Sequence, residues 1–127
     1  SQDQREQAMA QVRGGRQDIL VATDVAGRGL DIPLIPLVIN YDMSPTIEAY
    51  VHRVGRTGRA GAQGRSITLL TEADAALFSE LKQLLLKSPA GMNGVPVEFA
   101  QHPATRAVAG QPPRSRQDNR VFAYGLQ

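Results

Sequence analysis

Polar helical stretches alternate with short apolar runs along this chain. Ser1-Gln2-Asp3-Gln4 fits a capping box, with Ser1 as N-cap and Gln4 reaching back, so a helix is expected to about Arg13, where Gly14-Gly15 stops it. Asp18-Ile-Leu-Val-Ala-Thr23 reads as a strand buried on both faces, as in a parallel sheet. Leu37 to Tyr41 predicts a second such strand and Ser66 to Leu70 a third. Between them, Ser44-Pro45 gives an N-cap followed by proline at the first helical position, opening a helix with Ile47, Tyr50, Val51 and Val54 on one face. Thr71, with Asp74 three positions on, caps a helix that carries Leu77, Phe78, Leu81, Leu84 and Leu85 at helical spacing and ends near Lys87. Helices alternating with strands, joined by crossover-length segments, predict an α/β domain with a parallel sheet.

At Ser88 the composition shifts. Pro89, Pro96, Pro103, Pro112 and Pro113 punctuate the rest, with Gly91, Gly94 and Gly110 between them. This predicts an extended, weakly packed tail over 88–127, except where Val97, Phe99 or Phe122 finds an apolar groove.

The length of 127 residues and an apolar share of 42% suit one core and argue against two. Net charge is only +2, but of the 14 basic residues all except Lys82 and Lys87 are arginine. Arginine's planar fork suits phosphate oxygens, and a GC-rich genome accounts for the same bias equally well. There is no cysteine, which excludes disulfides and cysteine-based metal sites, and His52 and His102 are too far apart in sequence to form a metal motif. The longest apolar stretch, Ile32 to Ile39, is too short to span a bilayer and contains two prolines, so no membrane role is expected. The N-terminus has no signal-peptide character and no initiating Met, which reads as a fragment or a processed piece.

Ligands of open α/β sheets sit outside the carboxyl ends of the strands. Two loops leave from such places. In Thr23-Asp-Val-Ala-Gly-Arg-Gly-Leu-Asp31, glycines allow close backbone approach to a phosphate, and Asp31 could accept from a ribose hydroxyl; a glycine-rich connection without a ligand is the plainer alternative. In His52-Arg-Val-Gly-Arg-Thr-Gly-Arg59, three arginines separated by glycine suit a polyphosphate better than a solvated basic face.

Together, ATDVAGRGLD and YVHRVGRTGR resemble the two signature segments of the second RecA-like domain of superfamily 2 helicases, and the leading His of the second resembles the DEAD-box branch. Gln2-Asp-Gln-Arg5 is similar to that family's Q-x-x-R element. The resemblance covers residues 1–87. It implies an incomplete RecA-like parallel sheet flanked by helices, whose first strands would lie upstream. It implies that Arg56 and Arg59 approach the γ-phosphate of ATP, with Arg59 the arginine finger. Gly29 and Asp31 would contact the nucleotide, Asp31 at the ribose. Gln2, Arg5 and Thr23 would contact the RNA backbone. Arg28, His52 and Arg53 would couple this domain to the acidic segment of the N-terminal RecA-like half. That half would also hold Mg²⁺, because the sequence has no G-x-x-x-x-G-K-S/T, no Asp-Glu-Ala-Asp and no Ser-Ala-Thr. The isolated chain is therefore expected to have no ATPase activity.

Leu81 to Pro89, Pro96 to Pro103, Arg120-Val-Phe-Ala and the Ala26-Gly27-Arg28 variant resemble the spliceosomal tri-snRNP subgroup of DEAD-box helicases. Splicing, spliceosomal protein partners and a nuclear location are the corresponding expectations; another RNA pathway would allow a cytoplasmic one. A non-catalytic RNA-binding fragment and a non-DEAD nucleic-acid motor are the competing readings. His102 reads as an ordinary loop residue.

Overall fold

The computed structural model describes residues 1–27, 35–58, 63–106 and 122–126, the last five as backbone. The elements run α1 (Gln2–Arg13), α2 (Asp24–Gly27), β1 (Leu37–Asn40), α3 (Ile47–Val54), β2 (Arg65–Leu70), a 3-10 turn (Glu72–Leu77), α4 (Phe78–Leu86), a second 3-10 turn (Gly91–Gly94), α5 (Val97–Gln101), a third (Pro103–Arg106) and β3 (Phe122–Leu126). The sheet order is β1-β2-β3. β1 and β2 are parallel, with Asn40 opposite Thr68; β3 is antiparallel to β2, with Ser66 opposite Leu126. The α/β class and the parallel pair therefore hold.

Cap chemistry sets the helix starts. Ser1 Oγ accepts from the Gln4 N–H, and Gln4 Oε1 accepts from the Ser1 amino group at 2.9 Å. α1 ends at Gly14, followed by Gly15 at φ 67°, a left-handed turn that glycine adopts without strain. Asp74 accepts from the Thr71 N–H at 2.8 Å, as the spacing predicts, but the first turns it opens are 3-10 rather than α.

The core lies between α3, β2 and α4. Tyr50, Leu70, Phe78, Leu81 and Leu85 are buried together, and Ile47, Val54 and Leu84 pack against them. The Phe78 ring meets Phe99 edge-on at 5.1 Å and His102 at 5.0 Å. Burying such rings dominates core energetics, and edge-on pairs add about 0.5–1.5 kcal/mol.

Three expectations need correction. Asp18 to Thr23 forms no strand, and Ile19 and Val21 are exposed. An apolar run becomes a strand only when a ladder is available for its backbone, and among the described residues none pairs with this one. α3 starts two residues later than expected. Thr46, at an extended φ of −138°, is its N-cap and accepts from the Ala49 N–H, while Ser44 is buried with its hydroxyl unpartnered.

Third, the segment expected to be extended from Ser88 is folded as far as Arg106. Pro96 and Pro103 stand at helix starts, where a missing N–H costs nothing, so they initiate turns instead of breaking them. Val95, Phe99 and Ala104 thereby reach the core, whereas Val97 stays exposed. His102 is more than a loop residue. Its Nδ1 accepts from the Ala104 N–H at 3.1 Å, so Nε2 carries the hydrogen that faces Glu72 Oε1 at 2.9 Å. Lys82 Nζ donates to the Ala100 carbonyl and clips the same segment to α4.

Candidate functional site

α2, the end of β1 and the end of α3 meet at one place. Tyr50 faces the core, and this fixes the rotation of α3 so that Arg53, nearly one turn later, reaches across the end of β1. Arg53 grips Asp24 with a bidentate fork: Nε donates to Oδ1 at 2.5 Å and Nη2 to Oδ2 at 2.8 Å. Nη1 donates to the Asp42 carbonyl at 2.7 Å and faces Asn40 Oδ1 at 3.5 Å. The hydrogen bonds that Arg53 donates to Asp24 hold the guanidinium pKa above its ordinary value, against the opposing effect of partial burial. The two signature segments, far apart in sequence, are joined by this pair.

Under Arg53 the contacts are polar and buried. Asn40 is 2% exposed, and its Nδ2 donates to Thr68 Oγ1 at 3.1 Å. The parallel register creates this pair, since it sets Asn40 directly opposite Thr68. Burial raises the Tyr50 phenol above its ordinary pKa, and the hydroxyls of Thr68 and Ser66 oppose the rise.

α3 ends at Gly55. The Arg56 N–H donates to the Arg53 carbonyl at 3.1 Å, and the Arg56 carbonyl accepts from the Ile35 N–H at 3.2 Å. The Arg56 side chain is half-buried, yet among the described residues it has no carboxylate or hydrogen-bond partner. Thr57 follows, 7% exposed with Oγ1 unpartnered, then Gly58 at φ 66°. Gly64 lies directly beneath. A Cβ at that position would stand 2.2 Å from the Gly58 nitrogen and 2.2 Å from Thr57 Oγ1. His52 is exposed on α3.

Gln2 and Arg5 line an open groove of about 460 Å³ between α1 and residues 20–22, and exposed Thr23 follows directly. Arg5 donates to the Val25 carbonyl at 3.0 Å and to Gln2 Oε1 at 3.4 Å, which ties α1 to α2. Among the described residues no three His, Asp or Glu side chains converge as metal ligands would.

Residues 1–61 match the family described as helicase conserved C-terminal domain. Over 123 residues, 96% of this chain, it is 50% identical to the Homo sapiens protein named "Probable ATP-dependent RNA helicase DDX23", of which it spans 15%. Over 107 residues, 84% of this chain, it is 52% identical to the pre-mRNA-splicing ATP-dependent RNA helicase prp28 of Aspergillus clavatus, of which it spans 13%. The crystal structure of the yeast DEAD-box splicing factor Prp28 is similar at a TM-score of 0.66 and 39% identity, covering 73% of this chain and 21% of that one. The chain belongs to the helicase C-terminal domain family, in its DEAD-box branch.

In this helicase domain the structure brings Arg53 to the segment opened by Asp24, with Arg56 one turn after it, and sets Gln2 and Arg5 along one groove. Arg28, Gly29, Asp31 and Arg59 lie outside the described residues. Asp24, Asn40 and Gly64 escaped the sequence reading. Asp24 carried a signal, as an acid inside a loop with three arginines in its counterpart. Asn40 carried none, because an Asn inside an apolar run says nothing about which residue stands opposite it.

Proposed function

We propose that this chain is the second half of an ATP-dependent DEAD-box RNA helicase core that unwinds or remodels RNA duplexes in pre-mRNA splicing. Residues 1–87 form the helicase domain, and 88–127 are appended to it. The observation that carries this is Arg56, a half-buried cation with no anionic partner among the described residues, directly after the turn that Arg53 pins to Asp24. A guanidinium so placed suits an incoming phosphate. Arg56 and Arg59 receive the γ-phosphate of ATP, and Arg59 stabilises the charge that develops on it. Gly29 and Asp31 hold the nucleotide. Gln2, Arg5 and Thr23 take the RNA backbone along the α1 groove, a mode that reads little sequence. His52 and Arg28 meet the N-terminal RecA-like half, which holds Mg²⁺, and Arg53 serves that contact from inside through its grip on Asp24. A splicing helicase works in the nucleus among spliceosomal proteins, as the names of the relatives suggest.

The test uses a polypeptide that joins this domain to its ATP-binding half. Arg59→Ala is expected to lower RNA-stimulated kcat by about 10³–10⁵ with the melting temperature unchanged. Near-normal kcat at saturating ATP and RNA would end the assignment. A non-catalytic RNA-binding role would instead show RNA binding with no rate to lose.

A further inference from the structure

Three polar side chains form a continuous path beneath the end of the sheet: Arg53, Asn40 and Thr68. Asn40 and Thr68 are 2% and 4% exposed, at positions where apolar side chains would fill the same space without needing partners. The direction of the path is fixed by what each group can do. A guanidinium has only donors, so the Asn40 atom facing it is Oδ1. Nδ2 then points the other way and donates to Thr68 Oγ1. Thr68 Oγ1 is thus the acceptor on the sheet side of Asn40. Asn40 is therefore held between Thr68 and Arg53, and the donor-only guanidinium decides that Oδ1 is the atom it presents there.

Arg53 in turn spans two segments. It holds Asp24, which opens α2, and its carbonyl takes the N–H of Arg56. Its contact with the Asp42 carbonyl references both to the end of β1. We propose that Asn40 is a positioning residue for ATP hydrolysis: it steadies Arg53 as a strut between α2 and α3, and the strut sets where Arg56 meets phosphate. This rests on the reading of Arg56 given above.

The experiment uses the polypeptide that joins this domain to its ATP-binding half, with Arg56→Ala as reference. Asn40→Leu fills the same volume but offers Arg53 no acceptor. It is expected to lower RNA-stimulated kcat by about 10- to 100-fold, as loss of an orienting partner typically does, with KM for ATP little changed. Binding of ADP with aluminium fluoride should weaken by a similar factor while binding of ADP alone does not. Asn40→Asp keeps the acceptor and should recover most of the rate. Should Asn40→Leu fail to fold, Asp24→Asn, on a partly exposed carboxylate, loosens the strut from its other end and is expected to show the same kcat loss.

Several results would overturn the proposal. One is Asn40→Leu, or Asp24→Asn in its place, within twofold of the parent kcat while Arg56→Ala is inactive. Another is Asn40→Leu and Asn40→Asp losing rate equally and in step with melting temperature. If Arg56→Ala itself retains full kcat, the phosphate reading falls first and this inference with it.

Discussion

The pole around α4 and the outer edge of the sheet are built from the same types of side chain and treat them in opposite ways. Phe78, Leu81, Leu85, Val95 and Phe99 are at most 6% exposed, while Ile19, Val21, Val25 and Ile39 stand between 59% and 92% exposed. Hydrophobicity alone does not decide which becomes core. At the α4 pole the covering elements, α5 and its flanking 3-10 turns, come from the next stretch of chain and pack against it. Residues 18–23 and the edge strand β1, by contrast, leave apolar side chains exposed.

Breaking the pole should have the largest effect. Phe78→Ala removes a fully buried ring that touches both Phe99 and His102, and should cost about 3–5 kcal/mol in urea unfolding. Against a total stability of about 5–15 kcal/mol, that leaves the domain close to unfolding. A cost below that of an exposed substitution would show that α4 is not the centre of the fold.

Next comes the arginine-bearing loop, which depends on close approach more than on burial. Gly64→Ala places a methyl on the Gly58 backbone, so the loop must move. A displacement of that kind can cost about 100-fold in rate, and a drop in kcat with a modest change in melting temperature is the expected result in the joined polypeptide. Asp74→Ala, which removes the acceptor of the Thr71 N–H, should cost about 1 kcal/mol in thermal unfolding.

Two smaller changes sharpen the contrast. Ser44→Ala deletes a buried hydroxyl that has no partner and is expected to be neutral or stabilising by up to about 1 kcal/mol. Val21→Thr and Ile39→Thr, at the exposed edge, should each stay within about 0.5 kcal/mol of the parent. A loss as large as that of a core residue would mean that something in solution already covers this edge.

The sequence was legible at most places where the decisive interaction was local, the Ser44-Pro45 cap excepted, since Thr46 takes that role. The caps at Ser1 and Thr71 depend on side chains three residues apart, and the α4 face on spacing within one helix; all are present. It was illegible where the partner lay elsewhere. The Asp18–Thr23 run has strand composition, but composition cannot supply a neighbouring ladder. The prolines after Ser88 read as breakers because their helix-starting use depends on what Val95 and Phe99 have to pack against. Among the candidate site residues, the arginines and glycines were conspicuous by motif, while Asp24 and Asn40 became visible only once α2, β1 and α3 were brought together.

The Glu72–His102 contact also bears on the order in which the chain assembles. β3 must return to β2 across the whole of 71–121, a long loop with an entropic cost of closure. Once α4 and α5 have docked, the bond between Glu72 and His102 joins the two sides of that loop near its start, and only the residues after 102 remain to be closed. Each halving of an open loop saves about 0.6 kcal/mol. A histidine side chain outside the sheet thus acts as a topological shortcut, and the last strand is the beneficiary of packing that took place without it.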